Sequence, residues 1–168
     1  MSGGVVVLVG NPRRPSRTAA LALDAARRIA RHDEIGGEVT VVELADLAAG
    51  LLPGPSRAAD DARRVAASAE LLVVATPVYK GAYTGLLKVF LDGFGPAALD
   101  GVRAVPVVVA AGHGHLTAGD RFLAPVLEEL GASVAPALTV LEADLPASGY
   151  IIEGWLASGA LARRELVR

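Results

Sequence analysis

Three arginines, Arg13, Arg14 and Arg17, crowd into the stretch Gly10-Asn11-Pro12-Arg13-Arg14-Pro15-Ser16-Arg17-Thr18, and that crowding is the first sign of chemistry in the chain. The stretch follows an apolar, β-branched run, Val5 to Val9, which reads as a buried strand ended by Gly10-Asn11-Pro12. It leads into Arg17 to Arg31, where Ala20, Leu21, Leu23, Ala26, Ile29 and Ala30 form a helical stripe. A loop in that place feeds a helix N-terminus, whose unpaired N–H groups and dipole favour an anion. Ser16 and Thr18 add hydroxyl donors, and an arginine can fork two hydrogen bonds onto phosphate oxygens. The same residues also admit a plainer reading, with Ser16 an N-cap and the arginines solvated. The loop is not a Walker A, since no Gly-Lys-Ser/Thr occurs, nor is it a G-x-G-x-x-G dinucleotide fingerprint. An ordinary ATPase or a fingerprint dehydrogenase is therefore disfavoured.

A second stretch runs from Leu71 to Asp92. Its opening apolar residues are too few for a helix and read as a strand buried on both faces, which Pro77 ends because it lacks an N–H and biases Thr76 toward extended geometry. The chain then crosses a loop holding Gly81 and Gly85, and Thr84 caps a helix. Such a loop lies at the carboxyl end of the sheet, where open α/β folds bind ligands, so Tyr79, Lys80 and the loop amides are placed for contact. A third loop, Gly112-His113-Gly114-His115, follows the apolar run Val102 to Ala110. Its histidines lack a carboxylate cluster at ligand spacing, so no metal site is expected. Contact with a bound ring and a plain exposed loop both remain open for them.

The elements that must position these loops alternate regularly. Val39, Val41, Val42 and Leu44 read as a second strand, followed by an irregular stretch through Leu52-Pro53-Gly54-Pro55 and a helix capped by Ser56 and reaching about Ala69. The fourth strand contains Pro106, which is expected near its start or at a bulge. A helix from about Thr117 to Leu130 stopped by Gly131, a fifth strand over Val134 to Leu141, and a closing helix from Ile151 to Val167 with Arg163, Arg164 and Arg168 near its C-terminal dipole complete the chain. Five alternations of strand and helix imply an α/β, flavodoxin-like, doubly wound parallel sheet of order 2-1-3-4-5, covered by helices on both faces. In that order the loops after strands one, three and four converge. With 168 residues, residues 1–168 are expected to form a single domain.

Composition narrows the partners. A formal net charge of −2 gives no broad positive field, so nucleic acid is not expected and the local arginines point to a small anion. No apolar run is long enough to span a bilayer, and Met1-Ser2-Gly3-Gly4 has neither a basic region nor a cleavable apolar segment, so no membrane is expected and the location reads as cytoplasmic. Cysteine is absent, which removes thiol catalysis and thiolate metal sites.

Taken together, Gly10-Asn11-Pro12-Arg13 with Ser16-Arg17-Thr18, Thr76-Pro77-Val78-Tyr79-Lys80 with Tyr83-Thr84-Gly85-Leu86-Leu87-Lys88, and the Gly112 to His115 loop resemble the NADPH-dependent FMN reductase family, nearest to the flavin reductases of two-component sulfonate monooxygenase systems. The resemblance covers nearly the whole chain, and Pro-Val-Tyr-Lys is its most specific part. It implies that Arg13, Ser16, Arg17 and Thr18 hold the FMN phosphate, with Asn11 standing where the family usually has Ser and still able to donate. It further implies that Pro77, Val78, Tyr79 and Lys80 cradle the ribityl chain and ring, and that Gly112, His113, Gly114 and His115, a loop shorter than the family's, close over it. Arg121 stands where sulfonate-system reductases tend to have Tyr. The implied reaction passes a hydride from NADPH or NADH to FMN and supplies reduced flavin to a partner flavin-dependent monooxygenase or another acceptor. Flavin does the redox chemistry, so no catalytic side chain is expected; backbone N–H groups of the Val78 to Ala82 loop are expected to stabilise negative charge on it. A homodimer or homotetramer is implied too, and the apolar residues Leu86, Leu87, Val89, Phe90, Leu91 and Phe94 offer surface for it. Quinone or azo reduction on FMN, and a non-enzymatic flavodoxin-like electron carrier, are the alternatives; a receiver module is set aside because its acidic residues are missing.

Overall fold

Strand β1 (Val5–Val9) lies between β2 (Val39–Glu43) and β3 (Leu71–Pro77), and β4 (Arg103–Ala110) follows on the far side of β3. These and the remaining strands come from a computed structural model that describes residues 4–52 and 56–162. The pairings between these strands are all parallel, with Val5 opposite both Val39 and Leu71, and the order β2-β1-β3-β4-β5 is the expected one. Every residue of β1 and β3 is buried because helices cover both faces. Val5, Val7, Val9, Leu71, Val73 and Ala75 pack under α1 (Arg17–His32) and α6 (Ser148–Ala157). Val6, Leu8, Leu72 and Val74 face α2 (Leu44–Leu47), α3 (Arg57–Ala67), α4 (Gly85–Asp92) and α5 (Ala124–Glu129). Alternate side chains thus serve two cores, which is why these strands read as unbroken apolar runs. No helix among the described residues is long and apolar enough to cross a membrane.

The edge beyond β4 departs from expectation. The fifth strand is two pieces, β5 (Ser133–Val134) and β6 (Leu138–Leu141), both paired with β4 and separated by Ala135-Pro136-Ala137. The break faces Pro106 of β4 and holds a proline of its own, Pro136. Pro106 sits inside the ladder opposite Val74 and away from the start of the strand, but it does face a bulge: Ala104 pairs with Val134 and Val107 with Leu138, so the edge carries one extra residue opposite Pro106. Arg103 donates to Glu70 on the β3 side, whereas the carbonyls of Val102 and Ala104 accept from Ser133 and Ala135, so even-numbered residues of β4 turn their peptide groups to the edge. Pro106 therefore presents its missing donor to the break, where no ladder bond is lost.

Two helices also differ from their expected spans, and a third forms where Leu44 is expected to end the second strand. Between Thr117 and Leu130 the chain first forms a π-turn, Gly119–Leu123, and only then α5, with Pro125 in the first turn where a missing N–H is tolerated. Gly119 is needed there, since a Cβ would lie 2.5 Å from that of Ala137 and 2.9 Å from Cγ2 of Val108. Helix α6 starts earlier than Ile151 and ends at Ala157, beyond which Gly159 (φ 75°) turns the chain away; Arg163, Arg164 and Arg168 lie outside the described residues. Leu44 opens α2, so the stretch before Leu52 is partly helical, and Pro53-Gly54-Pro55 is not among the described residues.

Candidate functional site

Two buried threonines join the ends of β1 and β3. Thr84 caps α4 by accepting from the Leu87 amide at 3.2 Å, and its hydroxyl donates to the Gly10 carbonyl at 2.5 Å. The Thr84 amide in turn donates to Oγ1 of Thr76 at 3.2 Å, and the Thr76 hydroxyl donates to the Pro77 carbonyl at 2.9 Å. Gly10 completes the joint by donating its amide to the Ala75 carbonyl at 2.7 Å. It must be glycine, because a Cβ would stand 2.8 Å from Cβ of Leu87 and 3.2 Å from the Ala75 oxygen. The first and second loops therefore leave the sheet from one rigid seam.

In the first loop most polar side chains shape the loop itself. Buried Asn11 accepts from the Arg13 amide through Oδ1 at 2.9 Å and donates from Nδ2 to Oγ1 of buried Thr18 at 3.2 Å. Ser16 caps α1 by accepting from the Ala19 amide at 3.0 Å. The amides of Arg17 and Thr18, at the start of α1, have no protein acceptor among the described residues. Arg14 is pulled to one side, where its Nη1 contacts both Asp46 oxygens at 2.5 and 2.7 Å and its Nε lies 3.8 Å from Glu43. Glu43 keeps its other carboxylate oxygen buried without a partner, and burial pushes its carboxyl above the ordinary value despite Arg14. Arg17 reaches the opposite way, with Nη2 3.2 Å from Glu142, the residue following β6. Arg13 is exposed and has no carboxylate partner among the described residues.

The second loop is held by backbone. Tyr79 and Ala82 exchange N–H···O bonds of 2.8 and 3.3 Å, and Lys80 (φ 53°) and Gly81 (φ 88°) between them have the positive φ pair of a type I′ turn. The Val78 amide donates to Val109 at 2.9 Å, tying the loop to β4. Of the amides expected to serve a ligand, those of Val78, Tyr79 and Ala82 are thus engaged within the protein. Only those of Lys80 and Gly81 are without an acceptor among the described residues. Pro77 is buried as the last residue of β3, Val78 is half-buried, and Tyr79 and Lys80 are exposed. Half-buried Tyr83 has its phenol pushed up by burial.

The third loop forms one 3₁₀ turn, His113–His115, closed by the His115 amide on the Gly112 carbonyl at 3.0 Å. Both histidines and Gly114 are exposed, and Gly112 and Gly114 face open space. Arg121 lies beyond, its guanidinium 5.3 Å from the centre of the exposed Phe122 ring. Hydrogen bonds bring the first two loops together, while the third joins them through the β3–β4 pairing. Cavities of about 420 and 380 Å³ flank the broken edge strand at Pro136, and neither is lined by a residue of the first two loops.

Sequence reasoning saw Thr84 as a cap and missed its bond to Gly10, and it missed Glu43, Asp46 and Glu142 altogether. A signal was available for the acids. Each lies at or just after the C-terminal end of a strand, and a parallel sheet gathers those ends on one edge.

The model of the NADPH-dependent FMN reductase family matches residues 4–144. The chain is 34% identical over 168 residues to the NADH-dependent FMN reductase SfnE of Pseudomonas putida, covering 95% of this chain and 85% of that protein. It is 35% identical over 130 residues to FMN reductase (NADPH) of Escherichia coli strain K12, covering 76% and 67%. Among solved structures, the apo form of the NADH:FMN oxidoreductase EMOB matches with a TM-score of 0.83 at 30% identity, covering 99% of this chain and 92% of that one. On these matches the chain belongs to the NADPH-dependent FMN reductase family.

Proposed function

We propose that this chain passes a hydride from NADPH or NADH to FMN at the carboxyl edge of its sheet, with the phosphate on the first loop and the ring over the second. The observation that carries this placement is the seam at Gly10 and Thr84, which holds an anion-ready helix start beside a projecting turn. The residues fit the group. Two first-turn amides without acceptors, the exposed Arg13, and Arg17 within reach form a donor set suited to a phosphate monoester. Asn11, Ser16 and Thr18 fix the shape of that cradle, and the hydroxyl of Thr18 supports it from beneath.

Bound FMN supplies the redox chemistry there, accepting the hydride and passing electrons on. The protein orients and shields. Pro77, Val78, Tyr79 and Lys80 form the bed of the ribityl chain and ring, and the Lys80 and Gly81 amides are the donors left to stabilise negative charge at the ring edge. Gly112, His113, Gly114 and His115 close over the outer face. No side chain has to move a proton.

The chain works as one domain and delivers reduced flavin to a flavin-dependent monooxygenase or another acceptor in the cytoplasm. The name of the SfnE relative supports NADH as one donor. We also propose a homodimer or homotetramer. Leu87, Phe90 and Leu91 are buried against the sheet, so the surface that supports self-association is narrower than the apolar stripe implied: Leu86, Val89, Phe94 and the exposed Phe122. The decisive experiment mixes purified protein with FMN and each nucleotide in turn and follows absorbance. Oxidation that requires FMN is expected with at least one of them, and its absence with both removes the proposal.

A further inference from the structure

We propose that Glu142 is a built-in competitor for the flavin phosphate, which keeps FMN exchangeable by drawing on Arg17. This rests on the reading of the first loop as the phosphate site. Arg17 is the first residue of α1, directly at the two amides without acceptors, and is the natural guanidinium for an anion seated there. Its guanidinium is instead 3.2 Å from the carboxylate of Glu142, a residue from the far edge of the sheet, where β6 ends opposite Ala110. Arg14 cannot substitute, because Asp46 and Glu43 hold it on the β2 side. Arg13 alone is left without a carboxylate among the described residues.

A phosphate monoester carries about −1.5 to −2 charge at neutral pH. When it docks on the start of α1, Arg17 either leaves Glu142 or bridges carboxylate and phosphate. In the first case an ion pair is lost on binding, and in the second two like charges share one cation. Both lower FMN affinity, and neither touches a flavin that lacks the phosphate. The pair is exposed, with side-chain exposures of 66% and 45%, so the effect is moderate. A moderate effect suits a flavin that has to bind, be reduced and leave.

The test measures dissociation constants for FMN and riboflavin, by flavin fluorescence, on wild type, Glu142→Gln, Glu142→Lys, Arg17→Ala and the Arg17→Ala/Glu142→Gln double variant. Wild type should prefer FMN. Glu142→Gln should tighten FMN by roughly three- to fivefold, Glu142→Lys by more, and both gains should shrink as salt rises. In the Arg17→Ala background the gain from Glu142→Gln should fall toward one. Riboflavin should bind all five proteins alike, which also shows that each variant is folded. If wild type does not distinguish the two flavins, the phosphate reading of the loop fails. If it does, and Glu142→Gln leaves FMN binding unchanged or weakens it, that reading stands and Glu142 is no competitor.

Discussion

The first and second loops leave the same seam but are built by opposite means. Side chains shape the first: Asn11 bonds to the loop's own backbone and to Thr18, Ser16 caps the helix that the loop enters, and acids from distant elements pull Arg14 and Arg17 apart. Backbone shapes the second: a reciprocal pair at Tyr79 and Ala82, a tie to Val109, and two residues at positive φ. The difference matches the groups they are proposed to meet. A phosphate needs charge, which side chains supply and neighbouring charges tune. A ring edge needs fixed dipoles, which a tight turn presents without a mobile side chain.

The largest effect should come from breaking what the loops share. In Thr84→Val the Leu87 amide loses its cap and the buried Gly10 carbonyl loses its donor. A lost cap and an unsatisfied buried group together cost about 3 kcal/mol. For a chain of this size the melting temperature should fall by roughly 6–12 °C, and both flavins should bind more weakly. Thr84→Ser keeps the hydroxyl and should recover most of the loss. If Thr84→Val melts like wild type, the seam does not hold the site together.

Next in size is Arg17→Ala, which separates the loops. Removing a charged donor should weaken FMN by roughly tenfold and leave riboflavin unchanged. Equal losses for both flavins would show that Arg17 supports the fold and not the phosphate. Gly81→Ala is the counterpart on the second loop. At φ 88° a Cβ is strained by about 1–2 kcal/mol, so both flavins should weaken together, by roughly fivefold or more. A loss confined to FMN would mean that the turn meets the phosphate, and the division of labour would be overturned.

How far the sequence reached follows the same division. The central strands were legible because Val5–Val9 and Leu71–Pro77 are buried on both faces, and burial on both faces leaves an unbroken apolar run to read. Their order followed from crossover handedness, and with it the meeting of three loops. Whatever depended on a partner far along the chain was hidden. Pro106 was visible as an exception, but the break at Ala135-Pro136-Ala137 that accommodates it lies about thirty residues on. The positive φ of Lys80 was hidden because lysine has no preference for it; the Tyr79–Ala82 pairing imposes it. In the sequence the arginines form one cluster, and only the folded chain shows Asp46 and Glu142 drawing two of them apart.

The smallest expected effect concerns the acid behind the first loop. Glu43 sits beside Arg14 with one oxygen buried and unpartnered, and burial, opposed by the Arg14 charge, holds its carboxyl above the ordinary range. A carboxyl raised in this way favours the folded state while it is protonated, and that contribution is lost as pH rises from the ordinary range through the higher folded value. At neutral pH the Glu43 charge is therefore a slight burden, and Glu43→Gln should melt slightly higher than wild type. The advantage should vanish as pH falls below roughly 4, where the native residue is also neutral. Because Asp46 holds Arg14 by two contacts, the loop should keep its shape, and the ratio of FMN to riboflavin affinity should not move. Melting curves of both proteins between pH 3 and 8, with flavin titrations at neutral pH, check this directly. A variant that melts lower than wild type at neutral pH would mean that the Arg14–Glu43 attraction outweighs burial, and that Glu43 shares with Asp46 the task of drawing Arg14 away from the phosphate.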